Sequence, residues 1–131
     1  REIDVEDLTK HKMDSDLISV DTEAVQLVNR AKAEGRRICA VGTSVQRVLE
    51  TATLTGGMLK EYDGWTSKFI FPEYNFQVAN CMIANFYAPY STMLMLTTAF
   101  GGYDNVMNAY KVALEEGYRF GLYGDAMLII D

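Results

Sequence analysis

The stretch Ile38-Cys39-Ala40-Val41-Gly42-Thr43-Ser44 constrains the fold of this chain more than any other. Four apolar residues run without polar alternation, as in a strand covered on both faces of a largely parallel sheet. The run stops at Gly42, and helix-forming residues follow with an apolar stripe at Val45, Val48 and Leu49. The order is therefore strand, glycine, hydroxyl pair, helix. It leaves free backbone N–H groups and the Thr43 and Ser44 hydroxyls at a helix N-terminus, where an anion or a ribose can bind. Simple capping is the competing explanation of the same residues.

The flanking segments extend the alternation. Ala24, Leu27, Val28 and Ala31 recur at helical spacing between Asp21 and Glu34, with Asp21 or Thr22 as cap and Gly35 as stop. Gly56-Gly57 and Asp63-Gly64 predict a loop or hairpin over Thr53–Gly64. Lys68-Phe69-Ile70-Phe71 predicts a short strand ended by Pro72, and Val78–Phe86 a second, mainly extended stretch. Ser91 caps a nearly all-apolar helix closed by Gly101-Gly102. A further helix follows, with its stripe at Val106, Met107, Tyr110, Ala113 and Leu114 and its stop at Gly117; Ala126–Ile130 reads as a final buried strand. The expected fold is α/β, a layered and mainly parallel sheet flanked by helices, filling residues 1–131 as one domain.

Composition narrows the function. The net charge of -6 argues against a surface that traps nucleic acid all over, although a local basic patch remains compatible with it. No apolar run approaches the ~18 residues of a membrane helix, and no secretory signal opens the chain, so a cytoplasmic protein with no membrane partner is expected. The chain opens on Arg1 with a polar stretch to Lys12, which fits a piece excised from a longer polypeptide. Cys39 and Cys81 lie in apolar surroundings and read as reduced core thiols. With a single histidine, His11, and no second ligand at metal spacing, no metal site is expected.

Polar clusters interrupt the apolar runs at three further places, one of them His11-Lys12-Met13-Asp14-Ser15-Asp16 at the start, where a lone His is usually a surface residue. Asn85-Phe86-Tyr87-Ala88-Pro89-Tyr90-Ser91-Thr92 puts an amide at a strand end, then a phenol and two hydroxyls before a helix. In open α/β sheets ligands bind beyond the carboxyl ends of strands. A loop tied by Asn85 and a helix capped by Ser91 is the bland alternative. Tyr118-Arg119-Phe120-Gly121-Leu122-Tyr123-Gly124-Asp125 surrounds one Arg and one Asp with rings and glycines. Rings suit a nucleobase, Arg suits a carboxylate or phosphate, and glycine lets backbone approach a ligand. Here the alternative is an Arg119–Asp125 ion pair that only holds the loop.

Taken in order, these pieces resemble the C-terminal portion of the S-adenosylmethionine:tRNA ribosyltransferase-isomerase family. The matching residues are His11-Lys12-Met13, Ala40-Val41-Gly42-Thr43-Ser44 with Arg47, Phe69-Ile70-Phe71-Pro72 with Tyr74 and Phe76, Asn85-Phe86, Pro89, Ser91–Leu96, Ala99-Phe100, and Tyr118-Arg119-Phe120 with Tyr123–Ile129. The resemblance implies transfer of the ribosyl part of S-adenosylmethionine to 7-aminomethyl-7-deazaguanine in tRNA, leaving epoxyqueuosine. S-adenosylmethionine is then a substrate, and no separate cofactor or metal is implied. Tyr87, Asp125 and His11 become the expected catalytic residues. Thr43, Ser44, Arg47, Asn85, Ser91, Thr92, Arg119 and Tyr123 become the expected substrate-binding residues. The chain departs from the family pattern, which has His at the positions of Tyr87 and Asp14, a longer acid at Asp16, Gly at Glu73 and Phe-Ser at Gly121-Leu122. Loss of two histidines removes possible proton-transfer groups. A non-catalytic nucleoside-binding module or a divergent paralogue is the alternative function.

Overall fold

The structure, a computed structural model, describes residues 13–130. His11 therefore lies outside the described residues. The elements in chain order are β1 (Asp16–Val20), α1 (Thr22–Ala33), β2 (Cys39–Val41), α2 (Thr43–Thr51), β3 (Tyr62–Thr66), β4 (Cys81–Asn85), α3 (Thr92–Gly101), α4 (Tyr103–Glu115) and β5 (Ala126–Ile130).

Local chemistry sets most of the helix boundaries. Asp21 starts α1 by accepting the Ala24 N–H at 2.9 Å, and Glu23 at the start with Arg30 and Lys32 at the end suit the helix dipole. Ser91 does the same for α3, its hydroxyl accepting the Leu94 N–H at 3.1 Å. Gly42 precedes α2 with φ of 97°, a conformation that strains any residue with a Cβ.

The sheet differs from the expected one. β2, β4 and β5 form a three-stranded sheet in the order β2-β4-β5, in which β2 and β4 are parallel but β4 and β5 are antiparallel. β1 and β3 form a separate antiparallel ribbon. The expectation of a mainly parallel sheet is thus corrected, and the cause lies between β4 and β5. Two helices, α3 and α4, fill that connection and pack on each other, so the chain returns to the end of the sheet it left, and β5 must run back down. A single crossover helix would have kept β5 parallel.

Helices cover only one face of the sheet. Ala40, Met82 and Ala84 are buried on it, with Met127 and Ile129 packed beside them. Ala40 joins Val20, Leu49, Ala52, Leu59, Val78 and Ala79 in a core against α1 and α2. Met82 and Ala84 join Ile70 and Leu96, while Phe86, Leu94, Val106, Tyr110 and Ala113 form a third cluster on α3 and α4. The opposite face is open: Val41 is 63% and Leu128 57% exposed. The run Ile38–Val41 is therefore not covered on both sides, and β5 is not wholly buried. Cys39 is exposed rather than a core thiol; Cys81, its register partner, is buried, and both are free.

Other expectations fail for identifiable reasons. Lys68–Phe71 forms no strand, because its polar backbone is engaged elsewhere: the Lys68 carbonyl accepts Arg47 Nε at 3.1 Å and the Lys68 N–H is held by Thr66 Oγ1. Ile70 is nonetheless buried there. Leu27 and Leu114 sit on the exposed sides of α1 and α4. Over Thr53–Gly64 an isolated bridge pairs Thr53 with Leu59, and β3 begins at Tyr62.

Candidate functional site

The parallel strands β2 and β4 end side by side, and β5 begins at the same end. The Gly42 N–H donates to the Ile83 carbonyl at 2.8 Å, joining the start of α2 to β4. Asn85 Nδ2 donates to the Asp125 carbonyl at 3.3 Å, joining the end of β4 to the start of β5. The Gly121 N–H donates to the Phe86 carbonyl at 2.9 Å. Three segments singled out by sequence, 42–44, 85–86 and 118–125, thus converge on one end of the sheet.

The 118–125 loop is shaped by its own backbone. Asp125 Oδ2 accepts the Arg119 backbone N–H at 2.7 Å, and the Asp125 N–H returns a bond to the Arg119 carbonyl at 2.9 Å. The two side chains form no ion pair. A Cβ on Gly124 would fall 2.4 Å from the Arg119 carbonyl oxygen, so only glycine allows this closure. Phe86, Tyr110, Tyr118 and Phe120 stack on one another with ring centroids 5.1 to 6.1 Å apart, fastening the loop to β4 and α4. Those rings are used internally, whereas Tyr123 is 94% exposed.

The remaining site residues divide by partner. Thr43 is buried and Ser44 exposed in the first turn of α2, whose first N–H groups have no side-chain cap. Ser91 and Thr92 are buried at the start of α3, six and seven residues beyond Asn85, with Ser91 Oγ taken up in capping. Tyr87 is half-buried against the α3 and α4 clusters, and its backbone N–H donates to Tyr110 Oη at 2.8 Å. Arg47 points the other way. Its Nη1 lies 2.5 Å from Asp16 and its Nε bonds the Lys68 carbonyl, which ties α2 to β1 and to the 66–71 segment. Arg47 Nη2 has no hydrogen-bond partner among the described residues.

Sequence reasoning passed over Glu50. It is buried at the end of α2, and its carboxylate accepts the Tyr74 hydroxyl at 2.9 Å and the N–H groups of Gln77 and Val78. Desolvation, and then the Glu50 carboxylate, push the Tyr74 phenol well above its ordinary value. A Glu on a short helix carries no mark of burial; the clue available was its place on the Gln46-Leu49-Glu50 side of α2. No group of three or more His, Cys, Asp or Glu placed to hold a metal occurs among the described residues, and no described helix is long and apolar enough to cross a membrane.

A cleft of about 610 Å³ lies away from the strand ends, between Glu73, Tyr74, Thr98 and Asp104. A cleft of about 420 Å³ opens at the other end of the sheet, between Phe76, Asn80, Phe100 and Ile129. Asn75, Asn80 and Asn105 join the apolar side chains in lining it, and none of the residues singled out from the sequence as site residues does so.

Fold and site together define an α/β domain that presents hydroxyls, an amide, a carboxylate and an open aromatic ring beyond its strand ends. A family model described as "Queuosine biosynthesis protein" matches residues 1–129, and the chain belongs to that family. It is 65% identical over 131 residues to the S-adenosylmethionine:tRNA ribosyltransferase-isomerase of Bacteroides fragilis, and 66% identical over the same length to that of Phocaeicola vulgatus. In both cases the match covers 100% of the chain and 37% of the relative, so the chain spans little more than a third of their length. The crystal structure of S-adenosylmethionine tRNA ribosyltransferase from Thermotoga maritima superposes with a TM-score of 0.81 at 43% identity, covering 87% of this chain and 40% of that one.

Proposed function

We propose that this chain is the C-terminal portion of a tRNA-modifying transferase that moves the ribosyl moiety of S-adenosylmethionine onto 7-aminomethyl-7-deazaguanine in tRNA, yielding epoxyqueuosine. The observation that carries this reading is the meeting of Gly42–Ser44, Asn85 and Arg119–Asp125 at one sheet end, in a chain whose relatives bear the transferase name. S-adenosylmethionine is a substrate here, tRNA the acceptor, and no further cofactor enters. The cytoplasm is the compartment that holds both.

The reaction makes distinct demands. The ribosyl fragment loses its bonds to sulfur and to adenine and gains one to the amine nitrogen and one within itself; the amine and one ribosyl C–H each give up a proton, methionine leaves as a neutral thioether, adenine leaves carrying one of those protons, and the other passes to solvent. Asp125 and Tyr87 are the groups we assign to proton handling or orientation, with His11 as a third. Thr43, Ser44, Asn85, Ser91, Thr92 and Tyr123 line the nucleoside side, while Arg119 and Arg47 take the methionine carboxylate or a tRNA phosphate. Arg47 Nη2 keeps an unused donor, and the Ser91 hydroxyl can still donate its proton while it accepts the Leu94 N–H. Positioning and preorganised polar groups account for most of the rate in such a site.

The test uses a full-length polypeptide in which this segment replaces the matching part of the Phocaeicola vulgatus relative. Asp125→Asn lowers turnover by about 100-fold or more, the scale of a lost acid–base group, with the fold kept. Unchanged turnover contradicts the assignment. Substrate binding without turnover in the unmutated protein favours a binding module. The 131-residue chain alone shows little or no transfer; family-like rates from it contradict the proposal that the site needs the rest of the polypeptide.

A further inference from the structure

Cations are spread unevenly along this chain. Arg30, Lys32, Arg36 and Arg37 fall within eight residues, at the end of α1 and in the turn into β2, although the net charge of the chain is -6. Glu34 is the single acid in that stretch, and its ion pair with Arg36 at 3.2 Å is open to solvent, where such a pair is worth little. Arg30 and Arg37 are exposed and have no ion-pair partner among the described residues. A local basic patch therefore sits on an acidic domain.

The patch opens into a groove. A depression of about 250 Å³ is lined by Lys32 and Arg36 together with Phe76 and Asn80. Phe76 and Asn80 also line the cleft of about 420 Å³ that continues past Phe100 to Asn105. Phe76 and Phe100 meet edge to face with centroids 5.0 Å apart. Asn80 Oδ1 accepts the Ile38 N–H at 2.9 Å, and Lys32 Nζ donates to the Gln77 carbonyl, so the wall between patch and cleft is tied to α1 and to the start of β2. Cations, rings and amides in sequence suit a nucleic-acid strand: charge meets phosphate, an aromatic face meets an unstacked base, and amides meet its edge. An acidic peptide would use the cations but not the rings.

The position adds a second argument. Ile38 and Asn80 directly precede β2 and β4, and Ile129 and Ile130 close β5, so the groove lies at the opposite end of the sheet from Gly42, Asn85 and Asp125. A strand of five residues such as β4 spans about 17 Å. A nucleoside held at the strand ends does not reach that far, whereas a polynucleotide carrying it does. We propose that this groove holds a backbone segment of the tRNA acceptor away from the reacting nucleotide, with Arg36 and Arg37 on phosphates and Phe76 and Phe100 against a base. The proposal rests on tRNA being the acceptor and names where this segment grips it.

The test is binding of a fluorescently labelled tRNA bearing 7-aminomethyl-7-deazaguanine by the same full-length polypeptide, read by anisotropy over a range of salt concentrations. Each phosphate contact on a single strand contributes about 0.7 to the slope of log affinity against log salt. Arg36→Gln and Arg37→Gln are each expected to lower the slope by about that amount and to weaken binding about five-fold at ~0.1 M salt. Lys111→Gln removes the same charge from an exposed position on α4 outside the groove and is expected to change neither. Slopes unchanged in both arginine variants overturn the proposal, as does a loss shared equally by Lys111→Gln, which marks a general field. Ultraviolet cross-linking of the bound tRNA with peptide mapping then separates a strand in the groove from an anion held by the patch alone: adducts at Phe76 or Phe100 support the proposal, and adducts only elsewhere overturn it. tRNA binding that depends on both arginines in a polypeptide without turnover overturns the transferase reading and leaves the groove in place; turnover with both slopes unchanged does the reverse.

Discussion

Two polar clusters lie within this small domain, and they are built on opposite plans. Around Glu50 the carboxylate is met by a phenol and two backbone N–H groups of the same chain, away from solvent. At the strand ends Asp125 and Asn85 each make bonds within the chain, but Ser44 and Tyr123 face outward and the first turn of α2 is uncapped. Burial explains the difference. A buried carboxylate is tolerated only with its bonds made, whereas a polar group kept open to solvent holds its capacity for a ligand. Polarity alone does not mark a functional site; unused capacity does.

That contrast can be broken by mutation. Glu50→Ala strands the Tyr74 hydroxyl and the Gln77 and Val78 N–H groups, the last of them buried, and is expected to cost roughly 3 kcal/mol of stability in urea denaturation. A cost below about 1 kcal/mol, the typical worth of one hydrogen bond, removes the cluster's structural role. Gly124→Ala drives a methyl into the Arg119 carbonyl and should cost roughly 2 kcal/mol, the scale of overpacking, read by the same measurement. Ser91→Ala loses the α3 cap for about 1 kcal/mol.

The pH dependence sharpens the comparison. Burial and Glu50 raise the Tyr74 phenol, and burial raises Tyr110. Both phenols hold their protons more tightly in the folded chain than in the unfolded one, where they titrate near about 10. Their contribution is complete below that pH and is lost as pH rises above it. Thermal melts between neutral pH and strongly alkaline pH should show a plateau followed by a fall, shallower in Tyr74→Phe. At the open cluster Tyr123→Ala should change stability by no more than about 0.5 kcal/mol, as for an exposed residue without partners. A larger loss would place Tyr123 in the fold instead of the site.

Much of this organisation was legible in the sequence. The Ser91 and Asp21 caps, the glycine stops and the apolar stripe of α4 predicted the helices, because capping and periodicity are local properties. Strand direction was not legible, since it depends on how α3 and α4 fold back together. Neither was the bareness of one sheet face, because a continuous apolar run such as Ile38–Val41 reads the same whether its second layer comes from this chain or from elsewhere. β1 and β3 went unread as well; Asp16–Val20 and Tyr62–Thr66 are short, polar-interrupted strands that hold mainly through each other. Sequence picked out segments 42–44, 85–92 and 118–125, of which 42–44, 85–86 and 118–125 meet at one sheet end, but not that Arg47 is tied to Asp16 or that Asp125 bonds the Arg119 backbone instead of its guanidinium.

The central claim, that the open strand-end cluster is the nucleoside site, is tested most directly by calorimetric titration of S-adenosylmethionine into the full-length polypeptide carrying this segment. The account predicts saturable binding that weakens about ten-fold or more, at least ~1.4 kcal/mol, in Tyr123→Ala and in Asp125→Ala, and is unchanged in Leu114→Ala. Affinity that stays the same in both strand-end variants, in samples that remain folded, would contradict it.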